Sequence, residues 1–121
     1  MNAGENNTAY QAMIIDENRH RIMSTALGNE LEMILSDIFQ DCEDFLTRFP
    51  IMAKRGDAEG IRVLCHAMKG VLAMLGLVGL SDCLEAREIM LSRGEIPSEK
   101  SVLTHFPERM AATRLALATQ R

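Results

Sequence analysis

The sequence predicts an all-α protein, an up-and-down four-helix bundle with an additional short N-terminal helix. Apolar residues recur at three- and four-residue steps over several long stretches, which is the period of a helix with one buried face. No stretch shows the alternation of polar and β-branched residues that is typical of strands. Hydrophobic residues make up 47% of the chain, and nine Met with no Trp favour a core of packed helices.

Length and composition favour a single domain, because 121 residues leave little room for a second. Residues 1–7 are polar and rich in Asn, so we expect a flexible tail there, and we expect residues 8–121 to form the bundle. The additional helix is expected from about Thr8 to Ala26, with a break near Asp16. It would lie over the bundle as a lid.

Helix start and stop signals divide the rest of the chain into four amphipathic helices. Asn29 and Glu32 have the spacing of a capping box, and Gly56 with Asp57 provides a stop followed by a new N-cap. Ser81 is expected to be the N-cap of the third helix, after a short connection. The four helices are expected at about Asn29–Pro50, Asp57–Leu75, Asp82–Ser92 and Glu99–Thr119. Pro50 is expected to kink or end the first, with Ile51-Met52 as an alternative further turn, and Pro107 is expected to kink or restart the last.

The overall charge and the first residues narrow the class of protein. A formal charge of −4 argues against a nucleic-acid-binding domain, which normally has a basic face. No apolar run approaches the roughly 18 residues that span a bilayer. The N-terminus lacks the basic and apolar regions of a signal peptide. We therefore expect a cytoplasmic protein that binds neither nucleic acid nor membranes.

The cysteines and histidines show no metal-binding pattern. Cys42, Cys65 and Cys83 are widely separated and odd in number, so we expect buried free thiols that act as small hydrophobic residues. His20 is expected at the surface near the lid helix. The three histidines His20, His66 and His105 lack the spacing of metal ligands, so no metal site is predicted.

The stretch Leu64-Cys65-His66-Ala67-Met68-Lys69-Gly70 places polar residues in an apolar helix. A helix turns about 100° per residue, so His66 lies roughly 160° from the centre of the apolar stripe and faces away from the core. The helical spacing brings Arg62, Lys69 and Gly70 beside it, at i−4, i+3 and i+4. The outer face also carries Val63, Ala67 and Met74, which predicts a docking patch.

The residues His66, Arg62, Lys69 and Gly70 each suit a chemical role. Imidazole is partly unprotonated at neutral pH, so an exposed His66 could act as a nucleophile. Lys69 and Arg62 could offset the charge of an accepted phosphoryl group. A glycine inside a helix costs up to about 1 kcal/mol relative to Ala, and Gly70 would let a partner approach closely. The competing interpretation is an idle, solvated surface histidine.

From about Glu30 to Ala116 the sequence resembles the histidine-phosphotransfer (HPt) domain of multistep phosphorelays. The resemblance depends on the HAMKG stretch and on the turn and apolar positions around it. The residues that carry it outside HAMKG are Arg55-Gly56-Asp57, Ala73, Leu75-Gly76, Leu80 and Cys83-Leu84-Glu85.

The resemblance implies that His66 takes a phosphoryl group from an aspartyl phosphate on one receiver domain and passes it to an Asp on another. It implies that Lys69 stabilises the phosphoryl group and that Gly70 gives clearance. The partner-binding surface would comprise Arg62, Val63, Ala67, Ala73, Met74 and positions near Ile38.

Partners and cofactors follow from the same resemblance. The partners would be receiver domains of response regulators or a hybrid sensor histidine kinase, and the receiver would supply Mg²⁺. This chain would need no cofactor of its own and would have no autonomous kinase activity. A monomer would suit a shuttle that docks two partners in turn.

Two alternatives remain at this point. The chain could be a non-catalytic helical adaptor that binds a receiver domain or kinase without carrying phosphate, although the presence of both His66 and Lys69 argues against this. Glu85, Arg87 and Glu88 could take part in acid–base chemistry, but charged residues at such spacing usually form a solvated face. We interpret them as a solvated face.

Overall fold

The computed structural model describes residue 10 and residues 12–120. The predicted flexible tail, residues 1–7, and the predicted start of the first helix at Thr8 lie outside the described residues. Residues 12–14 form one helical turn, and a 3₁₀ turn at Gly28–Glu30 joins the first two of five longer helices. These are α1 (Glu17–Leu27), α2 (Leu31–Lys54), α3 (Ala58–Met74), α4 (Val78–Ser92) and α5 (Glu99–Ala118).

Helices α2 to α5 form an up-and-down four-helix bundle. Each packs against the next, α5 returns to α2, and the contact between α3 and α4 is the most extensive. The described part of the chain contains no strand, so the predicted all-α class is confirmed. At the centre, the ring of Phe45 lies 5.5 Å from that of Phe106 and 5.8 Å from that of Phe49. All three rings are buried, as the apolar periodicity predicts.

Side-chain caps fix several helix ends as the sequence predicts. Asp57 Oδ1 accepts a hydrogen bond from the Gly60 N–H at 2.9 Å, and Gly56 before it adopts a φ of 68°. Asp16 caps α1 in the same way and marks the predicted break in the N-terminal helix. The helices α2 and α5 continue without interruption through Pro50 and Pro107, so the predicted end near Pro50 and the predicted restart at Pro107 are wrong.

Two predicted caps are wrong. Asn29 lies within the 3₁₀ turn, and the N-cap of α2 is Glu30, which makes no side-chain cap hydrogen bond. Helix α4 begins at Val78, so Ser81 lies inside it, and its hydroxyl donates to the Lys69 carbonyl at 3.4 Å. The predicted connection before Ser81 is buried in the core, because Leu80 packs there from the first turn of α4.

The N-terminal segment is fastened to the turn between α3 and α4. The Asp16 N–H donates to the Gly76 carbonyl at 2.8 Å. His20, predicted at the surface, is 6% exposed, and its Nδ1 lies 3.0 Å from the Leu75 carbonyl oxygen. Because a carbonyl only accepts, this nitrogen is the donor. The imidazole therefore satisfies a carbonyl that the end of α3 leaves without a helical partner.

We expect Gly76→Ala to destabilise the protein by about 3 kcal/mol or more. Its φ is 80°, and an added Cβ would lie 2.8 Å from the Asp16 carbonyl oxygen and 2.9 Å from the His20 nitrogen. The matched control is Gly56→Ala, where φ is also positive but nothing lies within 4 Å of the added Cβ. That control should lose only about 1 to 2 kcal/mol.

The free energy of unfolding is measured by urea denaturation for both variants. Equal losses would show that the close approach of the N-terminal segment to Gly76 does not contribute to stability.

Candidate functional site

His66 projects from the outer face of α3, as predicted. Its side chain is 66% exposed, whereas Cys65 and Met68 on the same helix are buried. The Asp57 cap and the buried stripe together set this orientation, because they fix where the helix begins and which face packs inward. The imidazole is thus accessible to a partner molecule.

A carboxylate from the neighbouring helix lies against this imidazole. Glu88 Oε1, on α4, is 2.7 Å from His66 Nδ1, and Glu88 Oε2 is 2.6 Å from Lys69 Nζ. Arg62 Nη1 lies 3.8 Å from the first of these oxygens. The Glu88 side chain is only 15% exposed, so its interpretation as part of a solvated face is wrong. We call Arg62, His66, Lys69 and Glu88 the Glu88 cluster.

The neighbouring positive charges keep the Glu88 carboxylate ionised. Its contact with Lys69 is the largest cause that holds the pKa of Glu88 below its usual range, partial burial opposes this effect, and the His66 hydrogen bond adds to it. The same contact raises the pKa of Lys69. An ionised carboxylate only accepts hydrogen bonds, so His66 Nδ1 carries the proton. In the neutral imidazole the unprotonated nitrogen is therefore Nε2.

Arg62 is held at the edge of the cluster by a second carboxylate. Its Nε and Nη2 donate to the two Glu59 oxygens at 2.8 and 2.7 Å, and this contact raises its pKa. The guanidinium therefore remains charged beside His66. Two of its five N–H donors are already used by Glu59.

The predicted docking residues on α3 are accessible. Val63, Ala67, Ala73 and Met74 are exposed. Gly70 is also exposed, and nothing lies within 4 Å of a Cβ added there. Exposed small and apolar residues therefore lie on the same helix as the imidazole, alongside Arg62 and Lys69.

Ile38, predicted near the docking surface, is instead a core residue with 3% exposure. It belongs to the buried face of α2, and the surface of α2 nearest the motif is different. A groove of about 230 Å³ separates the two helices there. It is lined by Asp41, Asp44, Phe45, Arg48, Leu64, Ala67 and Met68.

The remaining candidate residues are not members of the Glu88 cluster. Glu85 is exposed as predicted, but Arg87 is half-buried and hydrogen-bonds the Cys83 carbonyl and the Ser101 hydroxyl, both at 3.3 Å. Cys42 and Cys65 are buried free thiols, and burial raises the pKa of each to about 12. Cys83 is also a free thiol but is half-buried, and burial raises its pKa.

Two further findings concern ligands and membranes. Within residues 12–120, no three His, Cys, Asp or Glu side chains converge as a metal site would require. None of the helices among the described residues combines the length and the hydrophobicity of a membrane-spanning segment.

The sequence analysis assigned Glu88 to a solvated face and did not place it beside His66, although one signal could have done so. In an antiparallel helical hairpin, residues at equal distances from the turn lie at the same level. His66 and Glu88 each lie eleven residues from Leu77, in the turn between α3 and α4. This symmetry can be recognised only if the turn is placed at Leu77. The predicted cap at Ser81 places the turn too late in the chain.

We expect Glu88→Ala to remove the tautomer preference of His66, because no carboxylate then accepts from Nδ1. The ring ¹⁵N shifts of His66 report which nitrogen carries the proton. Glu85→Ala, an exposed change three residues earlier on the same helix, is the control and should retain the wild-type pattern. An unchanged tautomer in Glu88→Ala would show that Glu88 does not set the protonated nitrogen.

The comparisons with known proteins agree with the geometry of this bundle. The family model of the Hpt domain matches residues 27–116, which include the whole Glu88 cluster and nearly all of α2 to α5. No curated protein and no solved structure matches the chain. Since the match covers well over half of the sequence, the chain belongs to the Hpt domain family.

Proposed function

We propose that the chain is a histidine-containing phosphotransfer protein that relays a phosphoryl group between Asp residues of receiver domains through a phosphohistidine at His66. One observation carries the proposal: the imidazole side chain is exposed while Glu88 binds its Nδ1 at 2.7 Å, so Nε2 is the ring nitrogen that Glu88 does not bind. Family membership gives this geometry its context, since Hpt domains act in histidine phosphotransfer.

The transfer step needs only a nucleophile from this chain. The Nε2 lone pair attacks the phosphorus of an aspartyl phosphate, a nitrogen–phosphorus bond forms, and the bond from phosphorus to the Asp oxygen breaks. The Asp carboxylate leaves with the electron pair. For onward transfer an Asp of a second receiver attacks the same phosphorus, and Nε2 of His66 leaves.

Glu88 supports this chemistry through charge as well as orientation. As Nε2 bonds to phosphorus, the ring gains positive charge while Nδ1 keeps its proton. A carboxylate 2.7 Å from Nδ1 stabilises that charge, and it is already in place before the reaction. Its ionisation is secured by the nearby ammonium of Lys69.

Lys69 is suited to contact the phosphoryl oxygens. Its Nζ is paired with the same carboxylate that binds His66, so it lies beside the imidazole. An ammonium has three N–H donors, and the single carboxylate oxygen leaves donors for another anion. Lys69 would therefore neutralise phosphoryl charge, while Gly70 and the apolar residues Val63, Ala67, Ala73 and Met74 would receive the partner.

The remaining parts of the reaction are assigned to the partner. The receiver would bring its acidic pocket and Mg²⁺, and the partners would be response-regulator receivers or the receiver of a hybrid sensor kinase. A monomer in the cytoplasm would expose the Glu88 cluster to each partner in turn.

The central prediction is that His66→Gln abolishes phosphoryl acceptance. The protein is incubated with a phosphorylated receiver domain and Mg²⁺, and acid-labile, base-stable phosphate on it is measured. His105→Gln, a change of another exposed histidine, is the control and should be labelled like wild type.

Absence of label on the wild-type protein, or full label on His66→Gln, would contradict the relay. Stable binding of the receiver without any label would indicate the adaptor function instead.

We expect Gly70→Gln to slow transfer by about tenfold to a hundredfold, because a longer side chain beside His66 displaces the docked partner. The fold should be unaffected or slightly stabilised, since the position is open and Gln favours a helix by up to about 1 kcal/mol over Gly. Single-turnover transfer kinetics measure the effect. Gly70→Ala is the matched small control, and equal rates for both variants would argue against the clearance role.

A further inference from the structure

A second polar cleft lies away from the Glu88 cluster, between α4, α5 and the N-terminal segment. Its volume is about 570 Å³. Residues 12–13 and 78–79 form its more apolar wall. Its polar wall is formed by Asp82, Cys83, Arg87, His105, Glu108 and Arg109.

Two arginines in this cleft have an unusual environment for this protein. Of the arginines in the described part of the chain, only Arg62, Arg87 and Arg109 are half-buried, and the others are exposed. Arg62 is paired with carboxylates. Arg87 donates only to neutral acceptors, the Cys83 carbonyl and the Ser101 hydroxyl. Within residues 12–120, Arg109 has neither an ion pair nor a side-chain hydrogen bond.

Both guanidinium groups lie close enough to the half-buried Cys83 thiol to affect its pKa. Burial is the larger effect and raises that pKa, whereas the positive charges of Arg87 and Arg109 lower it. The two charges therefore face the same region of the cleft. Asp82 and Glu108 also line the cleft, but they are exposed, and neither forms an ion pair with Arg87 or Arg109. The positive charge is therefore uncompensated by direct contact.

We propose that this cleft binds a small organic oxyanion, a carboxylate or phosphate attached to an apolar group. Guanidinium groups present planar pairs of donors that match both kinds of oxyanion. The residues 12–13 and 78–79 would contact the apolar part of the ligand. The volume lies within the range of about 300 to 1,000 Å³ that is typical of small-molecule sites. The proposal does not depend on the phosphotransfer function.

The test is a titration of the ¹⁵N-labelled full chain followed by amide chemical shifts. The probes are phenyl phosphate and benzoate, which carry the two oxyanions on the same apolar ring, each compared with sodium chloride at equal ionic strength. We expect a saturable shift of the amides of residues 82–83, 105–106 and 108–109 with at least one probe. Shifts with phenyl phosphate alone, with benzoate alone or with both would identify the oxyanion that the site accepts.

Two variants distinguish binding at a specific site from general effects of charge. Arg109→Gln, at a side chain without a structural hydrogen bond, should weaken binding by about tenfold, since a hydrogen bond to a charged group is lost. Arg87→Gln should weaken it as well, with circular dichroism as the check on folding. The control is Arg93→Gln, at an exposed arginine that follows α4, and it should bind like wild type.

The proposal is overturned if neither probe shifts these amides beyond the chloride control. It is equally overturned if Arg109→Gln and Arg93→Gln bind the probes with the same affinity.

Discussion

The carboxylate of Glu88 brings three groups of one helix into a single arrangement. Without it, α3 would present Arg62 and Lys69 on either side of His66, and Nδ1 would lack the carboxylate that accepts its hydrogen bond. With it, the Lys69 ammonium has a counter-ion, Nδ1 has an acceptor, and the unprotonated nitrogen of the neutral ring is Nε2. The contact spans two helices, so it requires α3 and α4 to keep one register. That register is set by the buried turn between them.

Local features of α3 could be predicted from the sequence, whereas its contact with α4 depended on placing the turn between the two helices correctly. The outward direction of His66 follows from residue spacing on α3 alone, and the Gly56–Asp57 turn follows from local conformational preferences. Predicting the contact between Glu88 and His66 requires the position of a second helix. The serine at position 81 shows why that position was misjudged: its capping preference, worth about 1 kcal/mol, was outweighed by the burial of the leucines around it.

The N-terminal segment belongs to the bundle although it precedes the family match, which begins at residue 27. Ile14 and Ile15 are buried in the core, and His20 uses a side-chain donor where a helix end normally relies on a backbone cap or water. A histidine within a charged stretch of sequence gives no sign of this role, because only the fold brings it to the Leu75 carbonyl. The segment thereby stabilises the end of the helix that carries His66.

The polar residues of helix α4 do not share one solvated face. The helix packs against α3 on one side and against α5 on the other. Successive residues project about 100° apart, which directs Glu88 toward α3 and Arg87 toward α5. The carboxylate meets cations, while the guanidinium meets only neutral acceptors. A helix between two neighbours can thus complete an ionic site on one side while it presents uncompensated charge on the other.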